Sequence, residues 1–318
     1  MIRTYYLDNN TLRPDAADLV AAIWIDICSP GEKEQAEIED TLGLDIPTQP
    51  EMEEIEISSR LYTYENAAFM TAILPANSDG GNPDMGPVTF ILTKTHVITV
   101  RYHEPRVFST FAPRALTTRQ EIKGPLDLLV ALLEAVIDRQ ADILERAARN
   151  IDLQSREIFM PAVKGKPRDY QVILEKIGQM GVLGSNIRDS LLTMERLTSF
   201  LGQILLKHDV DADLRERGKT LGSDVKSLAD HANFLSDKIT FLLDATLGMI
   251  TIEQNGIIKI FSVAAVIFLP PTLIASMYGM NFTHMPELHW DYGYPYAIGL
   301  MALFAVLPYL FAKYKKWL

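Results

Sequence analysis

From Ile260 to Thr283 the chain has no ionisable side chain other than tyrosine, and the same holds from Tyr292 to Ala312. Each stretch is longer than the roughly 20 residues an α-helix needs to cross about 30 Å of hydrocarbon. One such run could be the core helix of a soluble domain; two in tandem read as a pair of transmembrane helices. Their flanks set an orientation. Lys259 precedes the first run, and "KYKKWL", with Lys313, Lys315 and Lys316, follows the second. The segment between them carries only His284, Glu287, His289 and Asp291. Lysine and arginine collect on the cytoplasmic side, so both termini are expected in the cytoplasm and the loop outside. Tyr278, Phe282, Trp290, Tyr292 and Tyr294 then mark the outer membrane border, and Tyr309, Tyr314 and Trp317 the inner one.

The rest of the 318 residues reads differently. "MIRTYYLDNN" lacks the basic and apolar regions of a signal peptide, so about 250 residues before the first span are expected in the cytosol. A formal net charge of -11 argues against a nucleic-acid partner, which asks for a basic face. The one cysteine, Cys28, excludes an intramolecular disulfide framework and a cysteine-based zinc site, and it is expected to pack as a small hydrophobe. No glycine-rich phosphate loop, nucleophile elbow or paired-histidine spacing appears, which points away from an enzyme and from an organic cofactor. His96 and His103 are scattered and expected to be surface or core residues.

Residues 1–122 read as a mixed α/β domain. "AAIWIDIC" predicts a buried strand and "GEKEQAEIEDTLGL" an acidic helix. "RLYTYENAAFMTAIL" predicts a further strand, and "GPVTFILTKTHVITVRYHEP" a hairpin around Lys94-Thr95-His96. "PANSDGGNPDMGP" reads as a loop. After Pro125 the pattern turns helical: Leu126 to about Met160, about Arg168 to Leu206, and a third run from about Asp211. In that third run Leu221, Val225, Leu228, Ala232, Leu235, Ile239 and Leu242 form a heptad seam, a plausible means of oligomer assembly. No strong breaker precedes Pro270-Pro271, so one helix of roughly 100 Å is expected from Asp211 into the membrane. A simple anchor needs nothing so long.

Two rows on this helix carry chemistry. Asn255, Ile258, Ser262, Ala265, Leu269, Thr272 and Ser276 are spaced by threes and fours and lead to Asn281. Small and hydroxyl side chains of this kind either let membrane helices pack closely or line a narrow wet pore. Two spans per chain cannot enclose a channel, so a pore requires an oligomer. Pro270-Pro271 is tolerated where neighbouring helices or water satisfy the freed backbone. Asp230, Asp237 and Asp244 repeat every seven residues below the span. They read either as a solvated flank or as carboxylate rings that hold hard divalent cations through oxygen.

"IEQNGIIKIFSVAAVIFLPPTLIASMYGMNF", followed by "MPELHWDYGYP" and "KYKKWL", closely resembles the CorA family of magnesium transporters. The detailed likeness covers about residues 240–318, and the layout covers the remainder. The resemblance implies an α+β cytosolic domain, a long α-helical stalk and two transmembrane helices in a funnel-shaped homopentamer. Its boundaries fall at 1–122 for the α/β domain, 123–256 for the stalk and 257–278 for the pore-lining span. The loop with the filter is then 279–291, the second span 292–312 and the basic tail 313–318. Position by position, it implies a selectivity filter of Gly279, Met280 and Asn281, with glycine allowing the turn that ends the helix. It also implies a polar ring at Asn255, a hydrophobic constriction at Ile258 and Phe261, mid-pore rings at Leu269 and Thr272, and an acidic entrance residue at Glu287. Asp244 corresponds to a cytosol-facing acidic pore residue of some members. The family's regulatory magnesium site lies between subunits; the stalk position that aligns with one of its carboxylates is Thr220 here, and the loop offers Asp79 and Asp84 and the stalk Asp224 as candidates.

The function this implies is membrane-potential-driven uptake of Mg2+, with Co2+ and Ni2+ as further ions, across a bacterial inner membrane. Mg2+ is both substrate and cytosolic regulator. A ring of Asn281 amides would select the hydrated ion, because a carboxylate ring holds a divalent ion too tightly for exit. Two alternatives stand: a zinc transporter of the ZntB type, which shares the Gly-Met-Asn triplet, and a membrane-tethered sensor or scaffold.

Overall fold

The computed structural model describes residues 1–318 apart from 16–17, 79–82, 119–120, 161–167, 209, 282–284 and 316–318, and apart from the side chains of residues 57, 287 and 288. The chain divides into two compact units, Met1–Leu243 and Asp244–Leu318.

In the first unit seven strands form one sheet: β1 (Ile2–Asp8), β2 (Thr11–Pro14), β3 (Trp24–Cys28), β4 (Leu61–Tyr64), β5 (Ala67–Ala76), β6 (Asp84–Leu92) and β7 (Val97–Arg101). Their order is β2-β1-β3-β7-β6-β5-β4, with β3 and β7 parallel and every other pair antiparallel. Both faces of the sheet are covered. Trp24, Met70 and Phe90 point into the core shared with the helices α4 (Arg106–Thr118), α5 (Pro125–Phe159) and α6 (Tyr170–Lys207). Ile25, Ile27 and Phe69 point the other way, toward α1 (Glu32–Leu42) and α2 (Gln49–Glu53), with the one-turn α3 (Ile57–Arg60) leading into β4. Side chains alternate faces along a strand, so a strand buried on both sides reads as a continuous apolar run. That is why "AAIWIDIC" is legible as a strand.

Two segments differ from the sequence reading. "RLYTYENAAFMTAIL" is not one strand but the β4–β5 hairpin, turned at Glu65 and Asn66, both with positive φ (46° and 69°). The pair matches the two-residue hairpin geometry that asparagine tolerates, but a glutamate at its first position hides it. "PANSDGGNPDMGP" contains less loop than its composition implies: Pro75 and Ala76 end β5, and Asp84 begins β6. The turn-forming residues sit at strand ends, where ladder pairing Ala76↔Asp84 carries on through them.

The parallel β3–β7 pair is pinned by a buried polar group on the helix-covered face. Arg101 donates Nε and Nη2 to the two Asp26 oxygens at 3.0 and 2.9 Å. Thr99 donates to the same carboxylate at 2.9 Å and accepts from Trp24 Nε1 at 3.1 Å. The guanidinium lies 4.9 Å over the Phe108 ring. A buried pair so fully hydrogen-bonded specifies register, and losing one partner leaves an uncompensated charge.

The third long helix, α7, runs unbroken from Ala212 to Tyr278 through Pro270-Pro271. Within the first unit its seam is inside the chain: Leu221, Val225, Ala232, Leu235, Ile239 and Leu242 are buried in the core built with α5 and α6. Ile239 lies close to Gly184 and Gly181 of α6, and Leu205 of α6 lies against Gly218. The expectation that this seam drives oligomer assembly is therefore corrected. Its apolar stripe is already consumed by the chain's own helices. At the start of α7, Arg217 clamps α5 with Nη1 on Asp127 at 2.6 Å and Nε and Nη2 on Glu134, both at 2.9 Å.

Candidate ion pathway

The second unit is made of the C-terminal part of α7, a one-turn 3₁₀ helix (Pro286–His289) and α8 (Gly293–Tyr314). The apolar windows of α7 and α8 have mean hydropathies of 2.2 and 1.8, and only 11% of each window is buried within the chain. A core helix of a soluble protein would be mostly covered, so these helices have the length and exposure of membrane spans.

The α7 residues best covered here are Val263 and Ile274, with Ile267, Pro270, Pro271 and Tyr278 half-buried. On α8 the covered series is Gly293, Ala297, Leu300, Met301, Ala305, Pro308 and Ala312. Both follow helical spacing and mark the faces on which the two helices meet. Lys259 and Val263 lie level with Phe311 and Ala312 around one groove, so the helices form an antiparallel hairpin. Lys259 and the last turn of α8 are thereby at the same end.

The polar stripe lies elsewhere. Asn255, Ile258, Ser262, Ala265, Leu269, Thr272 and Ser276 are all exposed. At 3.6 residues per turn, the centre of this stripe is about 150° around the helix from the face that meets α8. Ile258, Phe261 and Leu269 are 60%, 72% and 65% exposed, too uncovered for α8 to be what they pack against. Two of the stripe hydroxyls have given their hydrogens to their own helix: Ser262 donates to the Ile258 carbonyl at 2.8 Å and Thr272 to that of Phe268 at 2.7 Å. Their oxygens still have lone pairs to offer outward, as water-facing acceptors.

The Gly279-Met280-Asn281 triplet closes α7. The Gly279 amide donates to the Ala275 carbonyl at 3.0 Å and the Met280 amide to that of Met277 at 3.3 Å. The glycine is not used for a left-handed turn; among the described glycines only Gly43 has positive φ. A Cβ at Gly279 would instead stand 3.2 Å from the Ala275 carbonyl oxygen, so the residue serves close backbone approach. Met280 and Asn281 are exposed. Trp290 packs on Tyr296 with ring centroids 5.6 Å apart and on Tyr292 at 6.2 Å, tying the loop end to α8. The Glu287 side chain lies outside the described residues.

The cation-sensor candidates are not gathered within one chain. Asp224, Asp230, Asp237 and Asp244 are exposed along α7, Asp84 is exposed at the start of β6, and Asp79 lies outside the described residues. Among the described residues no group of three or more His, Cys, Asp or Glu side chains is arranged to hold a metal ion. The sequence reading missed the acids around Thr220 and Asp224. Glu134, Asp138, Asp213 and Glu216 line a cavity of about 300 Å³ with them, beside Arg217. Their signal was the i, i+4 spacing of Glu134 and Asp138 on one helix facing Asp213 and Glu216 on another, and sequence alone does not say that the two helices meet. The Glu134 carboxylate, with Asp127, raises the Arg217 pKa despite partial burial, so the clamp stays charged at every working pH. His96 and His103 are structural: His96 Nε2 lies 3.2 Å from the Val20 carbonyl, and His103 Nε2 lies 2.9 Å from that of Leu74.

A sheet domain with three long helices, one of them leading into a two-span hairpin that ends in an exposed Gly-Met-Asn, defines a class of membrane protein and not an enzyme. The sequence model described as "CorA-like Mg2+ transporter protein" matches residues 21–313. The chain belongs to the CorA family of Mg2+ transporters. It is 34% identical over 325 residues to the magnesium transport protein CorA of Escherichia coli K12 and 33% identical over 322 residues to that of Yersinia pseudotuberculosis, covering 100% of both chains in each case. Its fold matches the complete structure of the CorA magnesium transporter from Methanocaldococcus jannaschii with a TM-score of 0.80, at 17% identity, over 100% of this chain and 99% of that one.

Proposed function

We propose that this protein is a Mg2+ uptake pore of the bacterial inner membrane, assembled as a homopentamer with both termini in the cytoplasm. The observation that carries the reading is the polar stripe of α7. It points away from the chain's own second span and leads, exposed along its length, to Asn281. A membrane helix that leaves hydroxyls and an amide uncovered needs either other copies of itself or water against them. Copies arranged about an axis supply both.

Mg2+ gives up its waters reluctantly, so a filter that works with hydrated ions is chemically economical. A ring of Asn281 amide oxygens accepts hydrogen bonds from the bound waters without contributing a fixed charge. Below it Thr272 and Leu269, then Ile258 and Phe261, then Asn255 would be met in turn. Glu287 raises the local cation concentration at the entrance. At about 2.3 kcal/mol per charge per 100 mV, a divalent ion gains roughly 4.6 kcal/mol per 100 mV of inside-negative potential. That drives uptake without a nucleotide. Co2+ and Ni2+, octahedral when hydrated, would be further permeants.

Gating by cytosolic Mg2+ belongs to the same reading. The exposed row Asp230, Asp237 and Asp244 and the acidic cavity with Asp224 are read as cation-binding surfaces where copies meet, because among the described residues of one chain no three such side chains are arranged to hold a metal ion. Removal of the cation would leave like charges facing each other and loosen the closed ring.

The test is Mg2+ influx into proteoliposomes under an inside-negative potential, with the intact chain beside Asn281→Ala. Potential-driven influx that collapses in the variant supports the pore and its filter. Influx of Zn2+ in place of Mg2+ moves the protein to the zinc-transporting branch. No flux from well-assembled protein leaves a membrane-tethered sensor.

A further inference from the structure

In the sheet domain the β4–β5 hairpin, the turn between β6 and β7 and the last turns of α6 enclose a cavity of about 210 Å³. Its floor is apolar: Ala68, Leu92 and Ile204 are each 7% exposed, and the half-buried Phe200 joins them. Its rim is basic, with Lys94 from the β6–β7 turn and Lys207 and His208 from the end of α6. Among the described residues no carboxylate lines it, in a chain with 41 Asp and Glu against 30 Lys and Arg. Nor, among those residues, does any of these three side chains make a hydrogen bond or ion pair, and the same holds for the rim amides of Asn66 and Gln203. The backbone at Lys94 is pinned by its neighbour: the Thr93 hydroxyl oxygen accepts from the Thr95 and His96 amides at 3.3 and 2.9 Å. Glu65, beside Asn66 in the hairpin turn, is exposed and off the cavity wall; Asp209, next to His208, lies outside the described residues.

The end of a helix carries about half a negative charge, which favours cations there and opposes anions. Lys207 alone exceeds that half charge, and Lys94 adds a second full charge from a different element. The surplus calls for an anion, and the apolar floor calls for a body attached to it. We propose that the cavity binds a small organic phosphomonoester. Its head, close to two negative charges at neutral pH, sits between Lys94 and Lys207. Its apolar body rests on Phe200 and Ile204, and the Asn66 and Gln203 amides supply neutral donors. The volume, below the roughly 300–1,000 Å³ of pockets for drug-sized ligands, limits the body to about one ring. Once bound, the ligand ties the β4–β5 and β6–β7 turns to the end of the helix that precedes α7. The site belongs wholly to the first unit, and the proposal does not rest on the transport reading.

The experiment titrates phenyl phosphate, phenol and inorganic phosphate separately onto the full-length protein in neutral detergent. Binding is followed by saturation-transfer NMR for the two aromatic probes and by calorimetry for all three, with protein-free micelles as the blank. Phenyl phosphate is expected to bind about tenfold more tightly than either fragment. Lys94→Gln and Lys207→Gln should each weaken it about fivefold, and Lys94→Arg should keep it. Thr63→Phe, which fills the cavity from an exposed position on β4, should weaken it further, and Lys33→Gln, on α1 across the sheet, should leave it unchanged. Equal affinity for phenol overturns the proposal by leaving only an apolar hollow, and equal affinity for inorganic phosphate by leaving only a charge. So does phenyl phosphate binding indifferent to Lys94→Gln, Lys207→Gln and Thr63→Phe, or no binding at all. Binding that appears only in Asp209→Asn also overturns it, by making that carboxylate the cavity's own anion. None of these readouts involves flux, so lost Mg2+ influx with phenyl phosphate binding intact counts only against the transport reading.

Discussion

Along the first part of α7 the apolar residues spaced by threes and fours, Leu221 to Leu242, are covered by α5 and α6 of the same chain. Along its membrane part the corresponding series, Asn255 to Ser276, is uncovered, although α8 packs on the same helix about a third to a half of a turn away. One continuous helix thus carries two seams of the same period with opposite partners. In water, burial of apolar area drives the first seam onto whatever apolar helix is nearest, and that is the chain's own. In lipid that drive is absent, and helices meet through shape, small residues and satisfied polar groups. A polar stripe in lipid therefore stays unresolved until water or another copy satisfies it. The lesson is that heptad spacing marks a packing face but does not name the partner.

The contrast makes graded predictions. Leu235→Ala, in the covered seam, removes a side chain buried among α5, α6 and α7 and is expected to cost about 2–5 kcal/mol in thermal unfolding of the full-length protein. Leu269→Ala, in the uncovered stripe, should leave that transition in place while raising Mg2+ flux through a widened ring. If Leu269→Ala destabilises the monomeric chain as much as Leu235→Ala does, the contrast is broken.

A smaller effect comes from the glycines. Gly218 has the Leu205 side chain pressed against the position of its missing Cβ, whereas nothing lies near that of Gly256. Gly218→Ala should destabilise by about 1–3 kcal/mol less whatever the helix gains from alanine, and Gly256→Ala should stabilise by up to about 1 kcal/mol. Should Gly256→Ala instead destabilise only the assembled oligomer, the melting of monomer and oligomer would diverge, which sharpens the contrast by showing a neighbouring copy at that position.

The smallest effect separates the sheet domain from α7. Burial lowers the His103 pKa from its ordinary 6.5; the Leu74 carbonyl and Asp84 oppose the shift and Arg101 adds to it. Its Nδ1 is buried without a partner, against Gly86. The unfolded chain therefore binds a proton at a pH where the folded chain does not. Stability is fully present above about pH 6.5 and declines as the pH falls from there toward the folded value. Melting curves between pH 7.5 and 5.5 should show this decline, and His103→Gln should remove part of it. An unchanged slope in the variant would mean that other groups carry the acid sensitivity.

Much of the fold could be read in advance because its signals are local. Lys259, the two uncharged runs and the Lys-rich tail mark the hairpin, and the apolar period marks α5, α6 and α7. The β4–β5 turn was missed because Glu65 is an unusual residue at positive φ. The Asp26–Arg101 pair was missed because its partners are 75 positions apart and only sheet order β3-β7 brings them together. The acids around Thr220 were missed for the same reason. Of the candidate pathway, the stripe was named from its spacing and the triplet from the family resemblance, but the direction the stripe faces could not be read from either.

The sequence alone determined that two helices are long and apolar enough to cross a membrane, that one long helix enters the first of them, and that Gly279-Met280-Asn281 ends it. These are properties of neighbouring residues, and length, period and charge carry them. Only the tertiary structure decided that the Leu221–Leu242 seam is spent within the chain and that Asn255 to Ser276 turn away from α8. Each of those depends on which surface meets which, and that is settled by the joint packing of segments far apart in sequence, where a difference of a few kcal/mol selects one arrangement.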